Sequence, residues 1–181
     1  MKYLGLTIDS QWTFGPHFKL LLPKLTTTAN ALCGLLPNIG GAEVGMRRLC
    51  EGFIRSQILY GPPVWVEDLM ESRRSLILLR RLLWTTIIRI AKGYRMISYA
   101  SATVLTASAP FELQALALRR VYEDQRSRSS GADSPPAEQV ARDVRGEVKR
   151  EVWERWRSHL FTEDQTRGYR AVRSVLPNWE A

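Results

Sequence analysis

Arg73-Arg74-Ser75-Leu76-Ile77-Leu78-Leu79-Arg80-Arg81-Leu82-Leu83-Trp84-Thr85-Thr86-Ile87-Ile88-Arg89-Ile90-Ala91-Lys92 is the run that decides the fold. At about 100° per residue, Leu76, Leu79, Leu83, Ile87 and Ile90 fall within roughly 80° of one another, and Arg74, Arg81, Arg89 and Lys92 lie opposite. This sidedness predicts one helix from about Glu67 to Lys92, docked on a core by its apolar face. Glu67 and Asp68 suit its positive N-terminal end. Cations opposite a core are ordinarily a solvated face. Here few carboxylates follow Glu71 within the run to cancel the charge, and guanidinium forks match phosphate oxygens, so phosphate contact stands beside the solvated face as a reading of this helix.

Working outward, most of the remaining segments also read as helices. Pro16 to Leu36 carries His17, Leu20, Leu21, Leu25, Leu32 and Leu35 at helical spacing, with Pro16 in the first turn, Pro23 a kink, and Pro37-Asn38 plus Gly40-Gly41 as terminator. A second helix, about Ala42 to Tyr60, is expected to bury Met46, Leu49, Phe53 and Gln57 or Ile58 while Arg47, Arg48 and Arg55 face outward. Gly61-Pro62-Pro63 stops it. Past Gly93, Ser98 or Ser101 is placed to cap a short helix to about Ala107, and Ala109-Pro110 starts another through Val121. Lys2-Tyr3-Leu4-Gly5-Leu6-Thr7-Ile8-Asp9 reads as one short strand, which needs a local hairpin near Gln11 to Phe14 or a partner from elsewhere.

Arg126 to Pro136, with four serines and two prolines, has nothing to bury and reads as a linker. Beyond it Val140, Val144, Val148, Val152, Trp156 and Leu160 repeat every four residues along a charged helix, Ala137 to Leu160. The tail carries Tyr169, Val172, Val175, Leu176 and Trp179 without a terminator. The expected architecture is therefore mainly α: a helical bundle over 1–126 with a short N-terminal β-strand or hairpin, a linker over 127–136, and a helical appendage over 137–181.

The 181 residues carry a net charge of +8 and a pI near 9.9, which favours nucleic acid or an acidic surface as partner. With 45% apolar and 24% charged residues the chain has the material for a core. Cys33 and Cys50 lack metal or disulfide spacing and read as buried thiols. Neither a secretion signal nor a membrane span is expected. The acidic pairs Glu67/Asp68, Glu123/Asp124 and Glu163/Asp164 sit at helix ends or solvated faces, and Gly40-Gly41 lacks the Lys-Ser/Thr of a phosphate loop. His17 and His159 have no nucleophile beside them. Tyr3, Trp12, Trp65, Tyr94 and Tyr99 have ring faces to offer bases, although packing in a helical core is the commoner use of such side chains. No catalytic residue, metal site or small-molecule ligand is expected.

Three blocks, in order, resemble the reverse transcriptases of non-LTR retrotransposons, especially the insect R1-like and jockey-like group. Lys2 to Asp9 looks like the primer-grip strand that ends the palm. Leu59-Tyr60-Gly61-Pro62-Pro63-Val64-Trp65 looks like the family's Tyr-Gly-x-Pro-x-Trp turn. Arg80-Arg81-Leu82-Leu83, followed by Gly93-Tyr94-Arg95-Met96-Ile97-Ser98-Tyr99-Ala100, looks like its thumb helix and Tyr-Arg-Thr-Val-Ser-x-x-Ala block. The resemblance covers roughly residues 2 to 125. Met96 stands where the family usually has threonine, and the Tyr/Phe-Ala-Asp-Asp metal-binding motif of the palm and a downstream cysteine-histidine knuckle are absent.

The resemblance implies a thumb and connector excised from an RNA-directed DNA polymerase, not catalytic alone, with Mg2+ belonging only to the missing palm. Its implied partners are an RNA/DNA template-primer duplex and the rest of the polymerase, and its implied location is the nucleus. Arg74, Arg81, Arg89, Lys92 and Arg95 would hold backbone phosphates, which carry no sequence information, and Tyr3, Leu4 and Gly5 would form the primer grip. The competing readings are a helical protein-interaction or self-association module and a non-functional remnant of a decayed element.

Overall fold

A computed structural model describes residues 1–35, 44–91, 97–128 and 137–162. The architecture is mainly helical, as expected, with a two-stranded antiparallel hairpin at the N-terminus. β1 (Lys2–Tyr3) and β2 (Leu6–Thr7) pair Lys2 with Thr7 and Tyr3 with Leu6. The stretch read as a single strand therefore turns back on itself before Gln11. Leu4 and Gly5, with φ of 45° and 86°, supply the left-handed pair that a tight two-residue hairpin turn requires.

The helices are α1 (Gly15–Gly34), α2 (Val44–Ile58), α3 (Pro62–Glu71), α4 (Arg73–Ala91), α5 (Tyr99–Leu105), α6 (Phe111–Arg128) and α7 (Ala137–Thr162). The long helix expected from Glu67 to Lys92 is two. Ser72 leaves helical geometry at φ −82° and ψ 81°, donating its N–H to the Asp68 carbonyl at 2.9 Å. Its Oγ then accepts from Ser75 N at 3.4 Å at the start of α4. Glu67 and Asp68 consequently lie inside α3 rather than at a helix start. Asp68 instead accepts the Phe14 N–H at 2.9 Å, anchoring the entry of α1, and Glu67 pairs with Arg119 of α6 at 2.5 Å.

One core joins the hairpin to α1–α4 and α6 through Leu6, Phe18, Leu25, Ile54, Ile58, Trp65, Leu69, Leu79, Leu83 and Phe111. Phe18 and Trp65 meet edge to face with centroids 5.4 Å apart, an arrangement worth about 0.5–1.5 kcal/mol beyond area burial. The apolar face read from α4 is the buried one: Leu79, Leu83, Ile87 and Ile90 are closed off from solvent and Leu76 packs against the core. Ser98 caps α5 by accepting from Ser101 N at 3.1 Å.

Helix α2 buries a different stripe from the one expected, although Ile58 is buried and Arg48 exposed in keeping with the sequence reading. Met46, Leu49 and Phe53 are 49%, 68% and 47% exposed, while Cys50, Ile54, Ile58 and even Arg55 are buried. The sequence offers two apolar stripes on this helix, and polar anchoring selects between them. Arg55 pairs with Glu51 one turn earlier and donates from Nη1 to the Ala109 carbonyl at 2.6 Å, and Ser108 Oγ donates to Glu51 at 3.0 Å. Of the two cysteines, Cys50 is buried and Cys33 half-buried.

Helix α6 packs on α3 and also on α7. Val152, Trp156 and Leu160 enter a cluster with Val104 and Ala109, and Val148 meets Val121. The four-residue repeat of α7 is thus its buried seam as far as its side chains are described; those of Val140 and Val144 lie outside the described residues. So do the terminator residues Pro37 to Gly41, Gly93, most of the linker and the tail from 163. The first two linker residues, Ser127 and Arg128, complete α6.

Candidate nucleic-acid interface

Two conformational devices build the site's first part. At Gly61 the backbone is left-handed, φ 68°, and a Cβ would come within 3.2 Å of Leu6 Cδ1, so both dihedral and space call for glycine. Pro62 opens α3 immediately after, and Trp65 Nε1 donates back to the Tyr60 carbonyl at 2.8 Å. This fixes the turn that carries Tyr60. Its hydroxyl donates to the Leu4 carbonyl at 2.9 Å, and its ring edge lies 3.4 Å from the position of a Gly5 Cβ. Tyr3 and Leu4 project from the tip into solvent. The structure thereby brings the Lys2–Asp9 block against the Tyr60–Trp65 block.

The base of the hairpin is held from α1. Thr7 N donates to His17 Nδ1 at 3.4 Å, and burial, with Lys24 adding, holds the imidazole below its usual pKa. His17 is therefore a buried acceptor, more than the plain helix-start residue expected. Asp9 accepts from Gln11 N at 3.0 Å, Thr13 N at 2.7 Å and Thr13 Oγ1, and the Thr13 hydroxyl leads in lowering its pKa.

The arginines of α4 divide by role. Arg80 Nε donates to Glu112 of α6 at 2.7 Å, and its guanidinium lies 6.0 Å from the Tyr99 ring centroid of α5. Trp84 Nε1 donates to the Ile97 carbonyl at 2.7 Å. The Arg80–Leu83 block and the Ile97–Ala100 end of the third block are thus joined across α4, α5 and α6. Burial, with Glu112 second, pushes the Tyr99 hydroxyl well above the ordinary tyrosine pKa. Trp65 and Tyr99 are core residues; Tyr3 and Trp12 are not.

Arg74 and Arg81 stand exposed and without an ion pair among the described residues. Arg89, also exposed, donates to the neutral Asn30 side chain of α1, a contact that helical spacing does not foreshadow. The three recur along α4 at intervals of about 10–12 Å from the helix rise. Exposed Ile77 and Leu78 sit beside them, so the row is cationic with an apolar edge. Lys92 and Arg95 lie outside the described residues. The hairpin tip and the arginine row occupy different elements, with α1 packed on both β2 and α4.

A cavity of about 150 Å³ opens beside the Arg80–Glu112 pair and is lined by Tyr99, Leu113, Trp156 and His159. Among the described residues no three His, Cys, Asp or Glu side chains converge as metal ligands, and no helix is long and apolar enough to cross a membrane. No protein-family profile matches the chain, and neither a curated protein nor a solved structure matches it.

Proposed function

We propose that the chain binds nucleic acid through backbone phosphates, as the thumb-like part of an RNA-directed DNA polymerase of the non-LTR retrotransposon type, and is not catalytic by itself. The observation that carries this reading is the division of arginines. Arg55, Arg80, Arg119, Arg120 and Arg155 are spent on carboxylates, whereas Arg74, Arg81 and Arg89 line one exposed face with no acidic partner among the described residues. A chain of net charge +8 supports the same partner. Packing of the hairpin on the Tyr60–Trp65 turn, and of Arg80 on Tyr99, gives the residues of the resemblance a physical reason to occur together. A template-primer duplex in the nucleus is the setting the resemblance implies, with Tyr3, Leu4 and Gly5 at the primer end.

The test is binding of the full chain to a labelled RNA–DNA duplex across a salt series, beside a variant with Arg74, Arg81 and Arg89 changed to glutamine. Counterion release predicts steep salt dependence, with the slope shallower by about 2–3 in the variant. Equal affinity and slope in both proteins would remove the α4 row from the interface. A second reading, a protein-interaction module, is favoured by one observation: the exposed Met46, Leu49 and Phe53 of α2. Association that persists at high salt and is lost when these three become glutamine would support it.

A further inference from the structure

Trp12 combines two properties that oppose stability. Its backbone is left-handed, φ 58°, and its side chain is 72% exposed. A bulky residue in that region costs about 1–2 kcal/mol, where glycine or asparagine sits with little strain. An exposed indole recovers little of this by burial. Only two other non-glycine residues among those described have positive φ, and one of them, Leu4, is the exposed tip of the hairpin that precedes this turn.

The conformation at Trp12 is held firmly. The Asp9 carboxylate takes the N–H groups of Gln11 and Thr13 on either side of it, together with the Thr13 hydroxyl, and Trp12 N donates to the Asp9 carbonyl at 3.4 Å. Three of the carboxylate's acceptor positions are occupied, so its charge is committed to the turn. Its chain neighbours Ser10 and Gln11 are exposed and polar, and Thr13 is half-buried and bonded to Asp9. Exposed Lys2 on β1 and Lys19 on α1 flank the turn in the chain. A firmly held, exposed aromatic face on a chain of net charge +8 matches the stacking platforms that hold single-stranded nucleic acid.

From the strained, exposed and hydrogen-bonded setting of its turn, we infer that Trp12 stacks on an unpaired nucleobase, extending the contact surface beyond the phosphate-binding row of α4. The inference rests on the nucleic-acid reading above. It adds a base contact that is insensitive to base identity and that favours a duplex carrying a single-stranded tail over a blunt one.

Strain provides a control against misfolding, because Trp12→Asn removes the indole and suits the left-handed backbone, so its Tm should equal or exceed that of the natural chain. Affinity for an RNA–DNA duplex with an unpaired tail should fall about 5- to 100-fold in Trp12→Asn and far less in Trp12→Phe, with an unchanged salt slope in both. Equal binding of the tailed duplex by the natural chain and Trp12→Asn would overturn the inference and leave the phosphate contact standing. Absence of nucleic-acid binding by the natural chain would overturn both. A change in self-association on sedimentation, with oligonucleotide affinity untouched, would make Trp12 a protein contact and would also overturn it.

Discussion

Arg80 and Arg81, adjacent in the chain, do opposite work: Arg80 reaches across to the buried carboxylate of Glu112, and Arg81 stands in solvent without an ion pair among the described residues. Arg80→Gln leaves the Glu112 charge buried and uncompensated. Because Arg80 is itself partly solvated, the expected loss is about 1–3 kcal/mol, below that of a fully buried pair. Arg81→Gln should change stability by less than about 0.5 kcal/mol while weakening duplex binding. Paired denaturation and binding curves for the two variants check the assignment, and a matching stability loss in both would contradict it.

The orientation of α2 makes a prediction opposite to its sequence pattern. Leu49→Gln and Phe53→Gln, on the exposed stripe, should each move stability by less than about 1 kcal/mol, whereas Ile54→Ala should cost about 2–5 kcal/mol. Urea unfolding of the three variants decides it. A large loss from Phe53→Gln with little from Ile54→Ala would mean that α2 faces the core by the other stripe.

Most of the architecture was legible where one period and one local cap agreed. The buried face of α4, the seam of α7 and the Ser98 cap all follow from residues close in sequence. The misreading of α2 has its cause in distant partners. The side on which α2 lies is settled by Ala109 and Ser108, more than fifty residues away, and two apolar stripes cannot be ranked without them. The break at Ser72 has a local cause that the long-helix reading passed over: it lies in the polar run Glu71-Ser72-Arg73-Arg74-Ser75 between Met70 and Leu76. At the candidate site the arginine row was readable from spacing, but the engagement of Arg89 by Asn30 was not, nor was the left-handed backbone that turns Trp12 outward.

Acid should loosen the hairpin base in a defined order. The fold holds His17 neutral, its Nδ1 accepting from Thr7, so the unfolded chain takes up a proton more readily than the folded one. Stabilisation from this residue is complete above the ordinary imidazole value of 6.5 and is lost as pH falls below it. Asp9, whose pKa is lowered, adds a second loss only when pH drops through the carboxylate range below 3.8. Thermal unfolding between about pH 7.5 and pH 5 should therefore show a falling Tm that is flattened in His17→Asn, which keeps an acceptor and carries no proton. An identical slope in that variant would remove His17 from the acid response.

The helix beyond the linker is part of the same packed structure as α5 and α6, because Trp156 is 1% exposed and shares a cluster with Val104 and Ala109. Trp156→Ala should cost about 3–5 kcal/mol, as for other large core aromatics. A chain ending at 128 should lose more, since Val104, Ala109 and Val121 would all be uncovered. If α7 were an independent appendage, the shortened chain would instead melt at the temperature of the full one, and two transitions would appear in the calorimetric trace of the intact protein. A single cooperative transition, lowered by Trp156→Ala and by truncation alike, is the expected result, and it would make α7 the clamp that holds α5 and α6 in place behind the Arg80–Glu112 pair.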